Sequence, residues 1–338
     1  MVFKVSAPRE RVLDAMRGEK IDRIPVSSVT QVGVIAAMEK VGAFWPEAHT
    51  DPVKMANLGK ALYKLTGLET ARIPFCLTVQ AEAFGCEIDL GTIEKTPAVK
   101  KSAFNTAGEV KMPSDFLSRG RIPAVMKATT HLKKNSSDLP IIVGIEGAYT
   151  LAGHIVGIES LLKWAIRQRD DITKVLEVTT RANIEYAKAV IDAGADVVCV
   201  ADPSASPDLM SPKDFATFVK PKLTEVANAI KKKGAVGVLH ICGGTLKIIK
   251  DMAETGFDSL SIEEKVDIVK AKEIIGPKPA LIGNVAAAKI LFSGTPESVR
   301  AEAKRAITAG VNVLAPGCGL PAPTPLENIQ ALVNAALT

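Results

Sequence analysis

Long apolar runs, a disulfide framework and a surplus of either charge are all missing from this sequence, and each absence removes a class of protein. The most apolar stretch, Gly147 to Ile158, has 12 residues and contains His154, well short of the roughly 20 that a membrane-spanning helix requires. Met1 to Arg17 carries Lys4, Arg9, Glu10, Arg11 and Asp14 with no apolar segment, so it does not read as a secretory signal. Five cysteines, Cys76, Cys86, Cys199, Cys242 and Cys318, are odd in number and sparse, as expected of a reducing compartment. The 42 Lys and Arg against 37 Asp and Glu leave a net charge of only +5. The triplet Lys231, Lys232 and Lys233 reads as the solvated end of one helix, so nothing marks a nucleic-acid surface. These absences predict a soluble cytoplasmic protein with neither a membrane nor a nucleic acid as partner.

What is present is a globular composition, 47% hydrophobic and 23% charged over 338 residues, enough chain to bury a large core. After Leu139 each apolar run of strand length is followed by an amphipathic segment of helix length, which is the pattern of successive βα units. The predicted strands are Pro140 to Ile145, Asp196 to Ala201, Ala235 to Ile241, Phe257 to Glu263, Pro279 to Val285 and Val311 to Ala315. Helices are expected near 159–169, 171–193, 211–233, 245–255, 266–275 and 296–309. The motifs DAGAD, KKKGAV, ETGFD and ITAGVN each place a glycine between helix and strand, where a left-handed cap is wanted.

Two N-terminal candidates, Ile24 to Val29 and Thr70 to Phe75, bring the strands to eight. Eight parallel strands with interleaved helices close as a (β/α)8 TIM-type barrel. The alternative, a doubly wound sheet, lacks a glycine-rich dinucleotide fingerprint after its first strand. The expectation is a single barrel domain over residues 1–338. Its N-terminal elaboration, residues 1–120, carries helices at Pro8 to Gly18 and Asp51 to Thr66 and a small hairpin excursion at Glu82 to Lys95.

Barrel chemistry sits where strands end. Here the ends carry Asp202, His240 with Cys242, Glu263, Asn284 and, in the APGCG segment, Cys318. The period of two along a strand puts His240 and Cys242 on one face, while Ser259, Ser261 and Glu263 share a face on the next strand. One imidazole and two thiolates suit Zn²⁺, and three protein ligands leave a fourth position open for Glu263, water or substrate. A structural zinc site would bring four ligands from closely spaced pairs; here the two cysteines lie far apart in sequence. Zinc with two thiolates and a neutral histidine carries no net charge, so a bound substrate thiolate would remain electron-rich and nucleophilic. A hydrolytic site would favour His and carboxylates. The chemistry indicated is thiol alkylation.

Plainer readings stand beside these. His240 and Cys242 together also describe a hydrogen-bonded core histidine beside an inert thiol, and Glu263 could pair with Lys265 or Lys289. Asp202 and Asn284 could face substrate as catalytic groups or cap helices and turns. Cys76, Cys86 and Cys199 read as core filling. His49, His131 and His154 read as surface residues or as supports for other groups.

The segments RERVLDAMRGEKIDRIPV, DPSASPDLMSPKDFATFVKP, HICG, IGNV, LFSGTPESVRAEAKRAI and LAPGCGLPAPTPLENIQALV resemble the uroporphyrinogen decarboxylase superfamily over nearly the whole chain. The H-x-C pair with a distant GCG cysteine is similar to its branch of methylcobamide:coenzyme M methyltransferases of methanogenic archaea. The resemblance implies a barrel whose zinc, at His240, Cys242 and Cys318, binds the thiol of coenzyme M. The methyl group would come from methylcobamide on a separate methyl-corrinoid protein, since no corrinoid-binding module is recognisable here. Nothing in the sequence identifies the contact to the coenzyme M sulfonate. Two rival enzymes are uroporphyrinogen decarboxylase itself and a zinc thiol methyltransferase of methionine synthase type. The decarboxylase would carry an Arg-rich segment after its first strand; Pro25 to Val34, PVSSVTQVGV, has no arginine. A non-catalytic metal- or corrinoid-binding protein would need the metal position closed.

Overall fold

The computed structural model describes residues 6–337, so Lys4 of the charged N-terminal stretch lies outside it. Nine strands occur among the described residues: β1 Ala71–Ile73, β2 Glu87–Asp89, β3 Ala98–Lys101, β4 Ile141–Glu146, β5 Val197–Ala201, β6 Val236–His240, β7 Ser259–Ser261, β8 Ala280–Val285 and β9 Val313–Pro316. Seven form one parallel sheet in the order β1-β4-β5-β6-β7-β8-β9. Their residues are buried on both faces, because one face lines the barrel and the other carries helices.

The sheet curls until β9 and β1 are joined through the segment around Val26. Ser27 N donates to Leu314 O at 3.0 Å, Leu314 N to Pro25 O at 3.0 Å, and Glu69 N to Val26 O at 2.8 Å. The fold is the expected TIM-type barrel, but its first stave is a single bridge at Val26 and not a strand over Ile24 to Val29. Pro25 has no N–H for a ladder, and side chains take over instead: Ser27 Oγ donates to Glu69 O at 2.8 Å and Thr70 Oγ1 to Ser28 O at 3.0 Å.

The inner cluster contains Ile142, Val197, Cys199, Val236, Val238, Ile282 and Val313 together with Val12, Leu13 and Met16. The last three belong to the helix Pro8–Met16, which stops the barrel at the N-terminal ends of its strands. Burying each such side chain is worth about 1.5–3 kcal/mol. Ser259 Oγ adds a bond to Met16 O at 2.6 Å. The buried Arg11 reaches Asp22 at 2.7 Å and Glu69 at 2.6 Å, so the plug is also tied to the chain that leads into the first stave.

The interleaved helices lie close to their expected positions, and the glycines of the four capping motifs, Gly194, Gly234, Gly256 and Gly310, all have positive φ. Other details differ. The helix expected over 211–233 is a turn at Pro212–Asp214, a π-turn at Phe215–Val219 and an α-helix at Lys220–Lys232; Pro221 lacks the N–H that an unbroken helix would need. The segment expected at 245–255 divides into Thr245–Lys247 and Ile249–Ala253. Asp51 to Thr66 is two helices, Pro52–Gly59 and Ala61–Thr66. At Gly59 a Cβ would stand 2.6 Å from Ile73 and 2.9 Å from Arg72 O, so the first of these helices lies directly on β1. The hairpin falls later than expected: Glu82 belongs to a helix, Val79–Phe84, and antiparallel β2 and β3 pair Glu87 with Lys101 and Asp89 with Ala98.

Candidate metal and substrate site

The inward faces of the strands stack in layers fixed by register. Gly144 pairs with Cys199 and Cys199 with Val238; two residues further on, Glu146 pairs with Ala201, Ala201 with His240, and His240 with Ser261. His240 is therefore delivered inward at the strand end, 3% exposed. Its Nδ1 lies 3.0 Å from Ser261 Oγ and its Nε2 3.2 Å from Cys242 Sγ. Cys242 follows on the same face, and the chain then turns at Gly243, whose φ is +86° and where a Cβ would meet Asp208 Oδ2 at 2.6 Å and Ser206 Oγ at 2.7 Å.

Cys318 arrives from the far end of β9, with its Sγ 3.5 Å from that of Cys242. The ligand atoms of His240, Cys242 and Cys318 all lie within 4.8 Å of one another. Around a tetrahedral ion with metal–sulfur bonds of about 2.3 Å, two sulfurs would stand about 3.8 Å apart, so the spacing and the soft donor set both fit such an ion. Without it, the two thiols share a hydrogen bond. The contact with Cys242, opposed by burial and aided by His240, draws the Cys318 thiol below its ordinary value, while the same contact and burial push Cys242 up.

The other expected site residues take supporting places. Glu263 lies just beyond β7 and outside the three-residue cluster; its Oε2 accepts from Gly243 N, and its Oε1 is 3.8 Å from Lys265 Nζ. The pairing with Lys265 is the plainer reading of the sequence, and the structure contains it. Asp202 is fully buried at the start of the helix Ala148–Val156. Its Oδ1 accepts from both N and Oγ1 of Thr150 at 2.7 Å, and its Oδ2 from Tyr149 N at 3.3 Å. It anchors a helix and does not face the cavity described below, and burial pushes its carboxyl up. Asn284, also buried, donates to Glu263 O at 3.1 Å and Val266 O at 2.9 Å and accepts from Arg305 Nη2 at 3.2 Å. It shapes the Glu263 turn.

Above the inner layers opens a cavity of about 900 Å³ reached by His240, Cys242 and Cys318, with the hairpin tip, residues 94–99, forming part of its wall. Residues that sequence reasoning passed over also line it: Arg72, Cys76, Thr150 and His154. His154 takes the supporting role, the second of the two readings its sequence position offered, with its side chain partly buried. Its Nδ1 lies 2.8 Å from Glu146 Oε2; burial pulls its pKa down, but the bond and charge of Glu146 outweigh that and hold it above the ordinary value. Cys76, expected as core filling, takes bonds from Thr78 Oγ1 at 3.4 Å and Arg121 Nη1 at 3.3 Å. Cys199 is core as expected, its thiol pushed up to about 12 by burial. His49 is buried against Trp45, with ring centroids 5.0 Å apart. The only sequence signal for Arg72 was a charge inside an apolar strand.

The uroporphyrinogen decarboxylase (URO-D) family profile matches residues 7–338. The chain belongs to the uroporphyrinogen decarboxylase family. A methylcobamide:CoM methyltransferase MtaA of Methanosarcina barkeri is 46% identical over 331 residues, 97% of this chain and 96% of its own length. A methylcobamide:CoM methyltransferase MtbA of Methanosarcina mazei is 36% identical over 97% of both chains. Among solved structures, a methyltransferase from Methanosarcina mazei superimposes with a TM-score of 0.94 at 46% identity, covering 98% of each chain. Within its family the chain thus falls in the methyltransferase branch and is an enzyme of that class. No helix among the described residues is long and apolar enough to cross a membrane.

Proposed function

We propose that the enzyme transfers a methyl group from a corrinoid carried by a separate protein to the thiol of coenzyme M, with His240, Cys242 and Cys318 holding Zn²⁺. The observation that carries this reading is the meeting of one imidazole and two thiols, within 4.8 Å, at the wall of a cavity large enough for a small thiol. Zinc bound there would favour the thiolate form of a coordinated substrate thiol at neutral pH. The chain's own residues fix the site. Ser261 orients His240, Glu263 holds the turn at Gly243, and Asp202 anchors the helix that presents Thr150 and His154 to the cavity.

In the net reaction a carbon–sulfur bond forms as the cobalt–carbon bond breaks. The electron pair stays on cobalt, giving Co(I), and the thiol proton passes to solvent. The names of the relatives support both substrates. The absence of arginine from Pro25 to Val34 argues against a decarboxylase that must hold many carboxylates.

Zinc K-edge absorption on the metal-loaded protein, without and with coenzyme M, tests the reading. A rise from two sulfur neighbours to three supports it, and an unchanged sulfur count with active methyl transfer from methylcobalamin would move the thiol elsewhere. Protein that takes up no zinc and transfers no methyl group would overturn it.

A further inference from the structure

Besides His240, three side chains that line the cavity can carry a positive charge, Arg72, Lys95 and His154; the last two are already answered or solvated, as is Arg121, which stands behind the lining residues Cys76 and Thr78. Arg121 donates to Glu82 Oε2 at 2.6 Å and to Thr78 Oγ1 at 2.7 Å. His154 has Glu146 at 2.8 Å. Lys95 stands exposed on the hairpin tip. Arg72 differs. It is 3% exposed, and its bonds go only to the backbone carbonyls of Val29, at 3.2 Å from Nε, and of Pro74. Among the described residues no carboxylate pairs with it. Its nearest ionisable neighbours are Cys76, Cys199 and Tyr186, and burial keeps both Cys199 and Tyr186 protonated. A guanidinium stays charged even when buried, and an uncompensated buried charge is costly. The fold nevertheless makes room for this one: a Cβ at Gly144 would lie 2.1 Å from Arg72 Nη2.

The position of that charge is set by register. Arg72 pairs with Ile142, yet its guanidinium reaches forward to the level of Gly144, which shares a layer with Cys199 and Val238. His240 lies two residues beyond Val238 on β6, a rise of about 6.6 Å along a strand. Arg72 and the three metal-binding candidates line the same cavity.

We infer that Arg72 is the anion anchor of the thiol substrate, holding a sulfonate separated from the sulfur by a short carbon spacer. This rests on the proposed thiol reaction. It makes Arg72 a specificity determinant: the metal site would accept many thiols, and the cation selects one that carries an anion. The guanidinium forks toward the sulfonate oxygens as it does toward other oxyanions.

The test is calorimetric binding of 2-mercaptoethanesulfonate and of its neutral counterpart 2-mercaptoethanol to the zinc-loaded enzyme. Wild type should prefer the sulfonate by about 10-fold or more, the value of a charged hydrogen bond. Arg72→Gln should lose that preference while retaining its affinity for 2-mercaptoethanol, and Lys95→Ala should leave the preference intact. Arg72→Lys, which keeps a cation in a similar volume, should retain part of it; this variant decides the matter if the glutamine variant does not fold. Equal affinities in wild type, or a full preference in a folded Arg72→Gln protein, would overturn the anchor and leave thiol binding standing. Failure of wild type to bind either thiol would overturn both.

Discussion

Ser261 Oγ stands 3.0 Å from His240 Nδ1, across two strands whose register pairs these same residues. A hydroxyl there fixes the ring so that Nε2 faces the two sulfurs. Removing such a supporting bond typically costs 10- to 100-fold in metal affinity. Ser261→Ala should therefore weaken zinc binding by about 10-fold or more in competition with a chromogenic chelator, with an unchanged circular dichroism spectrum. Equal affinity would mean that packing alone orients the ring.

Cys242 and Cys318 approach one another from strands far apart in sequence, with sulfurs 3.5 Å apart. Each replacement by alanine leaves only two donors. Cys242→Ala and Cys318→Ala should each lose bound zinc on dialysis and lose methyl transfer with it. Plasma mass spectrometry gives the metal content, and a full equivalent in either variant would remove that cysteine from the ligand set.

Glu263 behaves differently. Its carboxylate is engaged by Gly243 N and Lys265, so Glu263→Gln, which keeps an acceptor for the Gly243 N–H, should retain one zinc per chain. Loss of the metal in this variant would make the carboxylate a ligand.

His49 makes folding stability depend on acid. Its pKa is pushed down to about 3 by burial and by the charge of Arg121, whereas the unfolded value is about 6.5. Between these pH values the unfolded chain binds the extra proton, so stability is complete above pH 6.5 and falls as the pH drops toward 3. The slope is about 1.4 kcal/mol per pH unit, or about 2 kcal/mol lost by pH 5. Urea denaturation at pH 7 and pH 5 should reveal this loss in wild type and a smaller one in His49→Phe. Parallel losses in the two proteins would assign the acid sensitivity to other groups.

The barrel and the three converging donors were legible because each rests on a local signal. Helix-to-strand glycines, apolar runs and the spacing of His240 and Cys242 all follow from backbone period. What escaped depends on distant partners. Asp202 and Asn284 occupy strand ends, where a polar residue can either face substrate or anchor backbone; only the positions of Thr150 and Val266 decide which. Arg72 and His154 gain their meaning from Gly144 and Glu146 on β4, pairings that no local spacing announces. The first stave departs from the expected strand because the apolar run beside Pro25 has the composition of a strand while lacking one of its donors.

The plug made by Pro8–Met16 has a kinetic consequence. With the floor stopped, the thiol of the proposed transfer would reach the site from the C-terminal ends of the strands, the side from which a protein carrying the methyl group would present it. Where that protein covers the cavity as it docks, the thiol would have to arrive first and the methylated product depart last, a queue in which a premature partner acts as a dead-end inhibitor.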